Sequence, residues 1–136
     1  MQNEKTIQEE QKMAMSESEL IALWEENLQK RDLLDEGEHV EALVMGSYWD
    51  DLGQHSGNIY FTSEKLVYIS GWGVGEIVIP YKAIAKIQKK GILFIPTGID
   101  LTVKYADGDI KIISFAIFKR KRWVALLEQK TGIIAE

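Results

Sequence analysis

Apolar and polar positions alternate with a period that changes twice along this chain, dividing it into helix, sheet and helix. Residues 1–15 carry scattered apolar side chains with no sustained period and read as a flexible tail. After Ser16 the period is helical. Leu20, Trp24 and Leu28 recur on one face and Ile21 and Leu23 widen the stripe, while Glu25, Glu26, Gln29 and Lys30 form the solvated face. Ser16 and Glu19 stand at capping-box spacing, where each side chain satisfies a free amide of the first turn. The helix is expected to end between Leu33 and Gly37, which assigns residues 16–35 to it.

From Gly37 the pattern changes to short β-branched and aromatic runs separated by turn formers. His39–Trp49 predicts a first strand despite poor alternation, and Asp50–Gly57 predicts a loop by composition. Asn58–Thr62 and Leu66–Ser70 predict a hairpin turned by Ser63, Glu64 and Lys65. Gly71, Gly73 and Gly75 surround Trp72 in the next connection. Ile77–Ile79 is a short strand stopped by Pro80, which has no ladder donor. Ile84–Lys90 fits a strand or a short helix, and Gly91–Gly98 a loop or a strand broken at Pro96. The cleanest period of two sets Ile99, Leu101, Val103 and Tyr105 against Asp100, Thr102 and Lys104. Asp107-Gly108 turns that strand into Ile110–Phe115. The helical period returns over Lys119–Lys130 with Trp123 and Leu127, and Gly132 stops it. The fold class that follows is mainly β. About seven short antiparallel strands over residues 37–131 curl into a sheet whose apolar mouth the last helix plugs, and closure removes the exposed edges.

The stretch from Gly57 to Leu127 resembles the GRAM domain, a member of the pleckstrin-homology-like superfamily. The resemblance rests on Gly57-Asn58-Ile59-Tyr60-Phe61-Thr62 with Lys65-Leu66-Val67-Tyr68-Ile69-Ser70, then Ile79-Pro80-Tyr81 with Ile84 and Ile87, then the closing helix with Trp123 and Leu127. It implies a bent seven-stranded antiparallel barrel capped by a C-terminal helix, with His39–Trp49 as first strand. The N-terminal helix is an addition outside the family pattern. It also implies a lipid-binding or protein-interaction module without a standard activity. Phosphoinositide-binding members of the superfamily concentrate Lys and Arg between the first two strands. Here Asp50–Ser56 holds two acids and neither base, which weighs against such a site there.

Composition narrows the classes further. The chain's 136 residues, 46% hydrophobic, suffice for one core, and the absence of cysteine removes disulfides, thiolate nucleophiles and Cys-based metal sites. The first nineteen residues are polar and acid-rich, unlike a secretory leader, and no apolar run approaches the roughly 20 residues needed to cross a bilayer. A cytoplasmic domain with at most peripheral membrane contact is expected. The net charge of −5 is unevenly spread: residues 1–41 hold twelve acids and four bases (−8), residues 81–130 eleven bases and four acids (+7). That separation argues against a general nucleic-acid binder. Tyr60 and Phe61, on opposite strand faces, do not supply a surface pair for base stacking.

The strongest charged signal is Lys119, Arg120, Lys121 and Arg122, which with Lys86 and Lys90 are the candidate residues for an anionic surface. Against this, four successive helical residues do not share one face, and their stems can simply cover apolar surface. Lys86 and Lys90 share a strand face, with Lys89 opposite, and edge protection is the competing reading. Leu20, Trp24, Leu28, Trp49 and Trp72 are candidate interface residues, weighed against plain core packing. Asp50, Asp51 and His55 form a local cluster mixing acids with His, and two His exclude a three-His zinc site. Ser56 and Ser70 lack a nucleophile elbow, and Gly71, Gly73 and Gly75 lack the Gly-Lys-Ser/Thr ending of a phosphate loop. No catalytic residue, metal or cofactor is assigned. The expected function is a non-catalytic interaction module that binds an unidentified protein or self-associates, with weak peripheral binding of anionic lipid as the alternative.

Overall fold

The computed structural model describes residues 16–71, 75–92 and 95–136. The chain divides into two compact units, Met1–Val40 and Glu41–Glu136. In the first, helix α1 spans Glu17–Lys30, and the Ser16 hydroxyl accepts the Glu19 amide at 3.2 Å, as the capping spacing required. The helix ends earlier than expected. Asp32 takes the left-handed conformation (φ 58°), its amide donates to the Gln29 carbonyl at 3.0 Å, and the Leu33 amide donates to Leu28 at 2.9 Å. This is a Schellman closure with Asp in the position glycine usually takes. The sequence pointed to Gly37 because Asp tolerates that conformation less often. Beyond it, the Glu25 carboxylate accepts the Val40 amide at 3.1 Å and faces His39 at 3.5 Å.

The second unit is built on one sheet. Its strands are β1 (Val40–Asp50), β2 (Gly53–Thr62), β3 (Lys65–Ser70), β4 (Glu76–Pro80), β5 (Ile84–Ile92), β6 (Ile95–Lys104) and β7 (Ile110–Ile117), in the order β4-β3-β2-β1-β7-β6-β5. A short 3-10 turn, Tyr81–Ala83, joins β4 to β5, and helix α2 spans Arg120–Thr131. The sheet curls until side chains of strands far apart in that order meet. Tyr68 on β3 lies 5.8 Å from Phe115 on β7, and the Tyr105 hydroxyl approaches the Val78 carbonyl at 3.5 Å. The curl is not sealed by hydrogen bonds, since β4 and β5 remain end strands, so closure does not remove every edge as expected.

Several strands differ from their sequence reading for local reasons. Residues 53–57, expected in a loop, open β2; their polar side chains lie where the sheet end lines a pocket, so composition disguised a strand. Lys65 belongs to β3 rather than to the turn, and the Thr62 hydroxyl closes that turn by accepting the Glu64 and Lys65 amides at 3.1 and 2.9 Å. Every position of β3 from Lys65 to Ile69 is buried, which explains a continuous apolar run without alternation. The uncertain Ile84–Lys90 piece is a strand. A register shift between Ile84 and Lys86 lets Ile84 and Ile87, three positions apart, both face inward and masks the period. Gly57 sits where a Cβ would collide with the Ile69 carbonyl oxygen and the Tyr68 ring, so the β2–β3 pairing needs glycine.

The core gathers Ile59, Phe61, Leu66, Ile87, Leu101, Val103, Phe115 and Ile117 from the sheet with Trp123, Val124 and Leu127 from α2. Trp123 stacks on Phe61 with centroids 5.1 Å apart and planes 7° from parallel. At the far end Gly132 (φ 74°) donates its amide to the Glu128 carbonyl at 2.8 Å and stops the helix.

Because α2 fills the curled sheet, Trp123→Ala should lower unfolding free energy by about 3–5 kcal/mol, while Lys121→Ala should change it by less than about 0.5 kcal/mol. Urea unfolding followed by circular dichroism measures both. A Trp123→Ala cost below about 1 kcal/mol would show that α2 is not the plug.

Candidate functional site

The strand registers sort the turns of the second unit into two groups. Tyr68 pairs with Ile77, Trp49 with Ser114 and Lys104 with Ile110, which brings together the β1–β2 turn, the β3–β4 connection and the β6–β7 turn. Lys90 pairs with Gly98 and Gly98 with Ala116, which brings the β5–β6 connection to the β7–α2 junction at the opposite end of these strands. Charge separates with them. The first group carries Asp50, Asp51, Glu76, Asp107 and Asp109 with Lys104 and Lys111; the second carries Lys89, Lys90 and residues 119–122 with Asp100 and Glu128.

At the acidic end lies a pocket of about 730 Å³ lined by Tyr48, Asp50, His55, Tyr68 and Glu76 among others. Asp50 Oδ1 is 2.9 Å from His55 Nε2 and accepts the Leu52 amide at 2.8 Å. The hydrogen bond from His55 holds the Asp50 carboxyl below its ordinary value, against the opposing effect of desolvation. Tyr48 stacks on His55 at 6.1 Å, and the Tyr68 hydroxyl donates to the His55 carbonyl at 2.7 Å. Burial, then the neighbouring Tyr48 and Asp50, raises the Tyr68 phenol above its usual value; burial, then Asp109, does the same to Tyr105. Among the described residues no Lys or Arg lines it, so an acidic and aromatic recess stands where the sequence argued against a phosphate site.

At the basic end a groove of about 790 Å³ runs between α2 and the β5–β6 pair. Its floor includes Val124 and Ala125, Glu128 stands on one wall, and Phe118 projects beside it with 73% of its surface exposed. Lys119 adopts the left-handed conformation (φ 58°) and so precedes the helix instead of starting it. The Arg120 guanidinium donates to the Lys90 and Gly98 carbonyls at 2.7 and 3.1 Å and pins the helix start to the β5–β6 pair. Arg122 lies 4.9 Å over the Trp123 ring.

Of the candidate anionic-surface residues, therefore, Arg120 and Arg122 are engaged within the fold, and Lys86 and Lys90 pair with Glu136 and Asp100 at 3.1 and 2.6 Å. Lys119 and Lys121 line the groove, joined by Lys89; among the described residues none of these three ammonium groups has an acidic partner. Strand alternation set Lys89 apart, and that opposite face is the one that reaches α2. Phe118 was also missed, although an apolar residue directly before a basic run is a signal that could have found it.

The apolar candidates scatter. Leu28 is fully buried, Leu20, Trp24 and Trp49 are half-buried, and Trp72 lies outside the described residues. The Trp49 indole N–H is buried without a hydrogen-bond partner among the described residues. Tyr60 and Phe61 are both buried, so neither offers the solvent-facing aromatic that alternation allowed for one of them. Apolar exposure instead concentrates on Met45, Leu52, Ile110, Ile112 and Phe118 in this unit, besides Ile134.

No family model matches the chain, and no curated protein matches it by sequence. Solved structures do. The C-terminal domain of an unknown protein from Leishmania infantum superposes with a TM-score of 0.64 at 14% identity, covering 82% of this chain and 96% of that one. The Vps36 N-terminal PH domain gives 0.58 at 14%, covering 74% and 83%. The hSac2 domain of human phosphoinositide phosphatase Sac2 gives 0.59 at 14%, covering 90% and 92%. The PDZ-RhoGEF DH/PH domains, solved in complex with activated RhoA, give 0.57 at 10% over 70% of this chain and 30% of that one. The fold is therefore PH-like: seven antiparallel strands in one sheet, a C-terminal helix and an added N-terminal helix.

A raised phenol pKa has a definite sign. The fold favours the neutral form of Tyr68 and Tyr105, so their contribution to stability is complete below pH 10.0 and is lost as pH rises through the raised folded values. Phenolate absorbance assigned by difference against Tyr68→Phe should develop above pH 10.0; a midpoint at or below it would contradict the burial argument.

Proposed function

We propose that this domain is a non-catalytic, GRAM-like interaction module that docks an acidic, apolar-tipped protein segment in the groove beside the start of α2. The observation that carries this reading is the exposed Phe118 and apolar floor rimmed by the uncommitted Lys89, Lys119 and Lys121. Lysines without internal partners attract an anionic group and steer its approach, and the recess supplies desolvated contact for one apolar side chain. A recess favours a protruding peptide over a flat bilayer, which would meet only the rim. The fold is compatible with protein docking, since the PDZ-RhoGEF DH/PH domains occur in complex with RhoA. No helix among the described residues is long and apolar enough to cross a membrane, so lipid contact in the competing reading would be peripheral or involve structure of another kind.

The test uses a synthetic peptide of sequence Glu-Asp-Leu-Leu-Asp-Glu and vesicles rich in anionic lipid, each at low and physiological salt. Peptide titration followed by amide NMR should shift Phe118, Lys121 and Ala125, weaken with salt, and weaken about tenfold in the double variant Lys119→Glu/Lys121→Glu. Salt-sensitive vesicle binding with no response to peptide would replace this reading with the lipid one.

A further inference from the structure

We propose that the partner segment is the β1–β2 turn of a second copy, so that the domain self-associates head to tail; this rests on the groove being a protein-docking site as argued above. The turn carries charge opposite to the groove's lysines. Leu52 is 88% exposed at its tip, and Asp51 beside it is exposed with no partner among the described residues. An apolar side chain presented so fully, flanked by acid, matches in polarity and sign an apolar floor where Lys89, Lys119, Arg120 and Lys121 outnumber the one acid, Glu128.

The turn is also set before any contact is made. Asp50 Oδ1 accepts the Leu52 amide at 2.8 Å and meets His55 Nε2 at 2.9 Å, while Gly53 (φ 116°) turns the chain into β2. Docking such a turn orders little new backbone, which lowers its entropic cost. The bond from His55 also holds the Asp50 carboxyl at the base of the turn below its ordinary pKa.

Symmetry decides the form of the assembly. Turn and groove belong to opposite ends of the β1–β7–β6 strands, so a molecule cannot seat its own turn in its own groove. A contact between unlike patches leaves one free turn and one free groove, and therefore propagates into a ring or an open chain instead of a closed pair. A hairpin tip in a shallow groove buries less than the roughly 1,200 Å² of a standard stable interface. The association is accordingly weak, concentration-dependent and salt-sensitive.

Sedimentation velocity over a concentration series should show the parent's average mass rising with concentration and falling back in high salt. Leu52→Ser removes the tip and Lys119→Glu/Lys121→Glu reverses the groove rim. Each variant alone should lose association at least tenfold while retaining the parent's circular dichroism and melting temperature. An equimolar mixture should regain association but stop at the dimer, because one variant supplies an intact groove and the other an intact turn. A monomeric parent at every concentration, a Leu52→Ser variant that associates like the parent, or a mixture that stays monomeric would each overturn the proposal. The Glu-Asp-Leu-Leu-Asp-Glu titration separates the two claims. If that peptide binds a monomeric parent, the docking groove stands and self-association falls; if it does not, both fall.

Discussion

The face-to-face stack of Trp123 on Phe61 ties the last helix to the second strand, and the rest of the β-unit is organised around that contact. A curled sheet ending at β4 and β5 has an open interior, and only an element crossing that opening can bury Ile59, Leu101 and Phe115 together. With Trp123 and Leu127 facing inward, helical geometry directs Lys121, Arg122 and Ala125 outward. Arg120 then satisfies two backbone carbonyls at the β5–β6 end, and the left-handed Lys119 turns the chain so that Phe118 stands outside the core. The groove is a consequence of how the plug is anchored.

The same geometry explains why a chain of net negative charge presents a basic surface. Pairing within the fold consumes cations selectively. Lys86, Lys90 and Lys130 meet Glu136, Asp100 and Glu41, whereas Lys89, Lys119 and Lys121 form no ion pair among the described residues, although Glu128 lines the same groove. Antiparallel register carries Asp51, Asp107 and Asp109 to the other end. Separation of this kind contributes little to stability, because exposed charges are well screened, but it shapes how the surface meets charged partners. The PH-like scaffold thus offers an acidic aromatic recess at one end and a basic apolar groove at the other, and unpaired lysines with an exposed phenylalanine make the second the stronger candidate.

What the sequence determined by itself is the order and kind of the elements. Ile99–Tyr105 announced β6 because one of its faces is buried, and Ser16 announced the start of α1 because a cap is a local hydrogen bond. Trp123, Leu127 and Gly132 announced a final helix and its stop for the same local reason. Tertiary structure decided what depends on neighbours distant in the chain. Polar residues 53–57 became strand because β2 pairs within the sheet, with Gly57 opposite Ser70, while their side chains border a pocket; β3 lost its alternation because both faces are buried, and a register shift hid the period of β5. It also decided which cations are free. Lys86 and Lys90 are spent on Glu136 and Asp100, while Lys89 joins Lys119 and Lys121 across α2. Periodicity records which face of an element is buried, but a charge's partner is fixed by register and helix placement, which no local pattern encodes.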